Sequence, residues 1–145
     1  MLQKNRRLRR KAMYFLEVIA IRAEGPSTEI LVKRQLTWRN YLSAIKSTSW
    51  TLDQAQCHYD LKTGGADKLR FAGTVEQADR TLNIYFVTLP TTPHYGPLAS
   101  TEALWINHDA LLQRIMRKPK KFSPHLFQGV TQVLDHISLK KKIAV

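Results

Sequence analysis

Between residues 81 and 89 the sequence TLNIYFVTL sends Leu82, Ile84 and Phe86 to one side of an extended chain and Tyr85 and Val87 to the other. A strand that is apolar on both faces reads as a central strand, with protein rather than water against each side. The chain can build such a structure. Its 145 residues suffice for one domain with a real core, and its 43% hydrophobic content fits a globular fold rather than a disordered one.

Further elements precede and follow this strand. Residues 13–21 are rich in aromatic and β-branched types and read as a strand, Gly25-Pro26-Ser27 as a turn, and 29–33 as a second strand, apolar from Ile30 to Val32. The pair reads as a hairpin. Residues 34–41 carry Trp38 and Tyr41 among Arg34, Arg39 and Asn40, a loop or short strand. The stretch 42–65 reads as a loop, a helix and a glycine stop. Thr51 and Gln54 have capping-box spacing, Leu52, Ala55 and Tyr59 share a helical face, and Gly64-Gly65 closes the C-terminus.

Leu69, Phe71, Gly73 and Val75 alternate with more polar residues, as in a half-buried strand. Three prolines and a glycine make 90–100 a loop, and 101–106 form a short strand containing Trp105. Asn107 caps a helix over 108–117 that buries Leu111, Leu112 and Ile115. After the basic break Arg117-Lys118-Pro119-Lys120-Lys121, Ser123-Pro124 opens a last helix. Its apolar stripe is Leu126, Phe127, Val130, Val133, Leu134 and Ile137, with Lys140 to Lys142 in a tail beyond. The sum is a mixed α/β sandwich of α+β type: a basic arm over 1–12, one domain over 13–138 and a basic tail over 139–145.

Charge narrows the partners. With 23 basic against 11 acidic residues the net charge is +12, which favours nucleic acid or phosphorylated ligands, or docking on an acidic protein. Cys57 is the only cysteine, so an internal disulfide and a C-x-x-C metal site are both excluded. The basic residues Lys4, Arg6, Arg7, Arg9, Arg10 and Lys11 precede an apolar run, yet Glu17 interrupts that run and no small-residue cleavage site follows. The run is too short to span a bilayer. An intracellular, cytoplasmic location follows, with organellar targeting by the basic N-terminus left open.

The order of elements resembles the Nudix hydrolase fold from Met13 to Ile137. Residues 81–112, TLNIYFVTLPTTPHYGPLASTEALWINHDALL, resemble the later Nudix strands and the short helix after them, and Phe122-Ser123-Pro124 opening a last amphipathic helix is also common in that family. The family signature is G-x5-E-x7-R-E-U-x-E-E-x-G-U, whose glutamates hold divalent metals that activate water against a pyrophosphate. With Gly64 on the late glycine, Ser43 falls on the first glycine and Ser49 on the first glutamate. Cys57-His58 fall on the Arg-Glu pair, and Leu61-Lys62 on the metal-bearing Glu-Glu pair. No carboxylate remains there to offset Mg²⁺, and Lys62 adds a charge of the wrong sign. The resemblance therefore implies a Nudix-like module that has lost metal-dependent pyrophosphate hydrolysis, with no metal ligand and no cofactor.

Single residues carry less than their groups. Glu102 matches an acidic position that some Nudix enzymes use as base or ligand, and His58 is a second weak catalytic candidate. Both read better as surface or structural residues. Cys57 lacks a base in its own helical direction, so it reads as buried or inert. His94-Tyr95 reads equally as a ligand contact or as a variable loop. Arg34, Arg39 and Lys46 beside Trp38, Tyr41 and Trp50 suit phosphate contacts with base stacking, unless Trp38 or Trp50 packs in the core and the charges are only solvated.

The arm residues Arg6, Arg7, Arg9 and Arg10 and the break residues Lys118, Lys120 and Lys121 add nucleic-acid contacts. RNA binding by a catalytically inactive module, within a larger assembly, heads the functional reading. The alternatives are a divergent hydrolase of nucleoside diphosphate derivatives, with Mg²⁺ on Asp53, Asp60 and Glu102, and a pseudoenzyme docked on an acidic protein.

Overall fold

A computed structural model describes residues 12–65, 67–90 and 102–144, with side chains to residue 138. Six strands form one mixed sheet: β1 (Met13–Arg22), β2 (Glu29–Arg34), β3 (Leu42–Lys46), β4 (Arg70–Glu76), β5 (Arg80–Thr88) and β6 (Glu102–Asn107). Three α-helices cover it: α1 (Leu52–Thr63), α2 (His108–Arg117) and α3 (Pro124–Ala144). The strand order is β4-β5-β1-β2-β6, with β3 on β1 off that path. β5 is interior, as its two apolar faces require.

β1 is the axis. Along one edge it pairs in parallel with β5, from Met13 opposite Arg80 to Ile21 opposite Thr88. Its other edge is shared. β2 is antiparallel to it only at Ile21 and Arg22, whereas β3 takes Tyr14 to Val18. Residues 42–46, expected as loop, are therefore a strand. The period is hidden because Ser43 and Lys46 are polar and Ile45 is exposed, leaving backbone pairing rather than burial to define the element.

Burial sorts by strand parity into two layers. Ile19, Ile21, Ile30, Val32, Leu82, Ile84 and Phe86 meet Leu111 and Ile115 of α2 and Leu126, Val130, Val133 and Ile137 of α3. On the opposite face Leu16, Val18, Ala20, Leu31, Tyr85 and Val87 meet Ala55 and Tyr59 of α1. The result is the α/β/α sandwich of mixed sheet that the sequence implied. Some members of the expected stripes point outward: Leu52 is 50% exposed, Phe127 39% and Phe71 48%. A register shift between Phe71 and Gly73 breaks the alternation of β4.

The helix ends follow their sequence signals. Thr51 and Gln54 complete the capping box in both directions, and Gly64 closes α1 at φ 86°. Asn107 Oδ1 accepts from the backbone N–H of Asp109 and of Ala110 to start α2. α3 continues to Ala144, so Lys140 to Lys142 belong to the helix rather than to a tail. The arm before residue 12 and the loop holding His94-Tyr95 lie outside the described residues.

Close approach of α3 to the sheet gives a test. A Cβ at Gly129 would meet Ile19 Cδ1 at 2.8 Å and Cγ1 at 3.1 Å, inside the core. Gly129→Ala should therefore destabilise by about 1–3 kcal/mol, outweighing the gain of roughly 1 kcal/mol that alanine brings to a helix interior. Thermal denaturation of Gly129→Ala and of Gly129→Ala with Ile19→Val checks this. The second variant should recover part of the loss.

Candidate functional site

Where β2 leaves β1 and β3 replaces it, the sheet edge opens. The chain between them returns on itself: the Lys33 N–H donates to the Arg39 carbonyl at 2.7 Å and the Arg39 N–H to the Lys33 carbonyl at 3.0 Å. Neighbours in extended backbone point to opposite faces. Lys33 and Arg39 face α1, while Arg34 and Trp38 face α2.

On the α1 side a cavity of about 580 Å³ is lined by Lys33, Gln35, Arg39, Ser43, Leu61 and Lys62 among others, with no Asp or Glu among its described lining. This is where the signature alignment would put metal-bearing carboxylates. The donor set does not fit a divalent cation, because Leu61 offers no donor, Lys62 is cationic and two further cations face it. Lys33 is half-buried, and desolvation together with the adjacent Arg39 holds its pKa below the ordinary 10.5, with Glu17 pulling weakly the other way. His58 packs edge-on against Trp50 at 5.5 Å. Its pKa is also lowered, by desolvation first and then by Lys62 and Lys46.

The alternative ligands do not converge. Asp53 and Asp60 flank a separate cavity beside Gly65 and Asp67, and Asp60 accepts from Gln56 Nε2 at 2.9 Å. Glu102, on β6, pairs with Arg34 at 3.0 Å. Among the described residues no three His, Cys, Asp or Glu side chains stand close enough to share a metal.

On the α2 side Trp38 sits beside the basic break. Its N–H donates to the Lys121 carbonyl at 2.7 Å and its carbonyl accepts from Ser123 N–H at 2.9 Å. The indole is edge-on to Phe122 at 5.3 Å, with the Arg34 guanidinium 5.2 Å and the Arg114 guanidinium 6.0 Å from its ring centre. A cleft of about 280 Å³ there is lined by Trp38, Arg114, Arg117, Lys118, Lys121 and Phe122. Two groups that the sequence kept apart, Arg34 with Trp38 and Lys118 with Lys121, thus meet.

The other aromatic candidates are elsewhere. Tyr41 is 2% and Trp50 9% exposed, both within the α1-side core. The Trp50 indole N–H donates to the Tyr14 carbonyl at 3.1 Å, and Lys46 Nζ lies 4.2 Å over its ring. Lys120 turns to an open apolar cavity of about 690 Å³ with Met116 and Phe127. Cys57 is exposed rather than buried, a free thiol. Sequence reasoning missed Lys33 and Arg114. Lys33 was findable, since it lies two residues after the inward-facing Leu31 and so shares its face.

No protein-family model matches the sequence, and neither does any curated protein. Solved structures do match. A Deinococcus radiodurans protein aligns at TM-score 0.66 and 14% identity, over 87% of this chain and 84% of its own. A mutT/nudix family protein from Listeria innocua aligns at TM-score 0.59 and 12% identity, over 90% and 96%. NrtR from Shewanella oneidensis, solved with a 27mer DNA, aligns at TM-score 0.60 and 11% identity, over 88% of this chain and 63% of its own. At these identities the likeness is one of fold, and the fold is Nudix-like.

Desolvation of Lys33 has a measurable sign. Its charged form is disfavoured in the folded chain, so the penalty is full at neutral pH and is relieved as pH rises from the lowered folded value towards 10.5. Lys33→Met should match or exceed the parent's thermal stability at neutral pH. Scans at successive alkaline pH should show that advantage shrinking. A variant less stable at neutral pH would show that Lys33 is held by attraction instead.

Proposed function

We propose that this chain is a Nudix-like module that binds nucleic acid, RNA in preference to DNA, and does not hydrolyse pyrophosphate on α1. One observation carries the reading: Trp38, with the Arg34 and Arg114 guanidinium groups within about 6 Å of its ring centre, forms a wall of a cleft rimmed by Arg117, Lys118 and Lys121. Such a cleft suits unstacked bases, whose faces lie on an aromatic ring while cations take the phosphates. The net charge of +12 adds long-range attraction to any polyanion. The arm residues Arg6, Arg7, Arg9 and Arg10, outside the described residues, extend the same charge. NrtR, 63% of whose chain aligns with this one, was solved with a 27mer DNA, so a protein that contains this fold binds DNA.

Loss of hydrolysis rests on chemistry at the signature positions. Ser49, His58, Leu61 and Lys62 provide neither the carboxylates nor the charge that magnesium chemistry needs. A second reading has its own observation. Exposed Met116 and Phe127 line an apolar cavity beside Lys120, which suits a partner protein with acidic and apolar side chains.

Filter binding with single-stranded RNA should show affinity at low salt that falls steeply as salt rises. Trp38→Ala should weaken it by about 1–3 kcal/mol, and Lys118→Ala and Lys121→Ala should each lower the salt slope by about one. Circular dichroism confirms that each variant is folded. No affinity for RNA or DNA at low salt ends the proposal, and a pull-down that survives nuclease favours the protein partner.

A further inference from the structure

We propose that the apolar groove between the end of α2 and the start of α3 docks an acidic segment of another protein, which inserts apolar side chains and sets its carboxylates against Lys120 and the neighbouring lysines. Such docking rests on the protein-partner reading and is independent of nucleic-acid binding at Trp38.

The groove stands ready before a partner arrives. Buried Ile115 and Phe122 line its depth, and Met116, Pro119, Pro124 and Phe127 are its exposed lining. The turn between the helices is held by its backbone: the Lys121 N–H donates to the Lys118 carbonyl at 3.1 Å and the Phe122 N–H to the Pro119 carbonyl at 3.2 Å. Trp38 pins the same turn through Lys121 and Ser123, and both prolines have a fixed φ. Little conformational freedom is left to lose on binding.

Apolar surface is left over there. Met116 is 77% exposed, and Leu36, next to Thr37 of the lining, is wholly exposed. Neither Met116 nor Phe127 joins either core layer, because their inward neighbours Ile115 and Leu126 take that role. Exposed apolar side chains gathered at one place and rimmed by polar groups mark an interaction surface. A groove of about 690 Å³ has room for several apolar side chains.

Charge selects the occupant. No Asp or Glu lines the groove. From Ala110 to Leu134 the sequence holds Arg114, Arg117, Lys118, Lys120 and Lys121 and no acid. None of these three lysines has a carboxylate partner among the described residues. A second copy, at net charge +12, is repelled. The chain's own segments 1–11, 91–101 and 139–145 contain no Asp or Glu and supply no carboxylate. A membrane surface takes up apolar residues that protrude, whereas these line a concavity. Bases would leave their polar edges unpaired against methionine, phenylalanine and proline. A segment of another protein that joins acids to apolar anchors meets every condition.

Panning the full chain against displayed random peptides of about 16 residues tests this, because the recovered sequences report the preferred chemistry. They should combine Asp or Glu with Leu, Phe or Met, and a synthetic copy should bind the chain by fluorescence anisotropy. Met116→Ser and Phe127→Ser should each weaken that binding by about tenfold. Lys120→Glu should weaken it at least as much, and its difference from the parent should shrink as salt rises. Thermal scans of the free variants report folding. No enrichment, recovered peptides without acids, or binding that Phe127→Ser and Lys120→Glu both retain in full overturns the proposal. Co-sedimentation with phosphatidylserine vesicles that Phe127→Ser abolishes also overturns it, in favour of a membrane. RNA affinity of Met116→Ser and Phe127→Ser should hold within about twofold, since neither residue lines the Trp38 cleft. Failure of one reading is thus visible apart from failure of the other.

Discussion

A carboxylate buried in the middle of an apolar strand has to be satisfied on every side, and Glu17 is such a group. Its oxygens collect Asn40, Ser43 and His125, which come from the chain before β3, from β3 and from the first turn of α3. His125 passes the contact on to Arg80 at 3.2 Å, at the start of β5, and rests edge-on against Phe15. One side chain therefore ties together four pieces of chain that local preference alone would not register. It also fixes where β3 docks on β1, and so where β2 must part from it.

That parting produces both cationic sites. Because β2 keeps β1 only at Ile21 and Arg22, its far end is free to turn through 35–38 and return at Arg39. Alternation along an extended chain then deals its residues to the two faces, Lys33 and Arg39 with α1, Arg34 and the Trp38 indole with α2. A single backbone excursion makes two cavities with basic linings, one without an aromatic ring and one built around Trp38.

Much of this was legible in the residues. The central strand, the capping box at Thr51, the Asn107 cap and the inward stripe of α3 all depend on neighbours a few positions apart, and sequence displays such neighbours directly. β3 was not legible, because a strand with Ser43 and Lys46 on it shows no apolar period and is defined by its partner. Trp38 and Trp50 read as ligand contacts or as core with equal ease, and Tyr41 as a ligand contact. Burial decided between these, and burial depends on where α1 lands. The meeting of Trp38 with Lys118 and Lys121 joins segments far apart in sequence, through backbone hydrogen bonds that carry no side-chain signature. Lys33 shows the converse: its place at the end of an apolar strand made it look like a terminus, while its face put it inside.

The parallel ladder between β1 and β5 has a consequence for how the chain reaches this state. The axis strand leaves the ribosome before its longest partner, which begins at Arg80 and follows only after β2, β3, α1 and β4 have been made. Until then one side of a strand rich in leucine, valine and isoleucine stays open to any other extended segment. Non-local pairing of this kind slows folding, because the closure entropy of a long loop is spent before the contact is gained. The early hairpin partners, β2 and β3, guard only the opposite edge, so the interval before β5 is synthesised is when this protein is most exposed to misassembly.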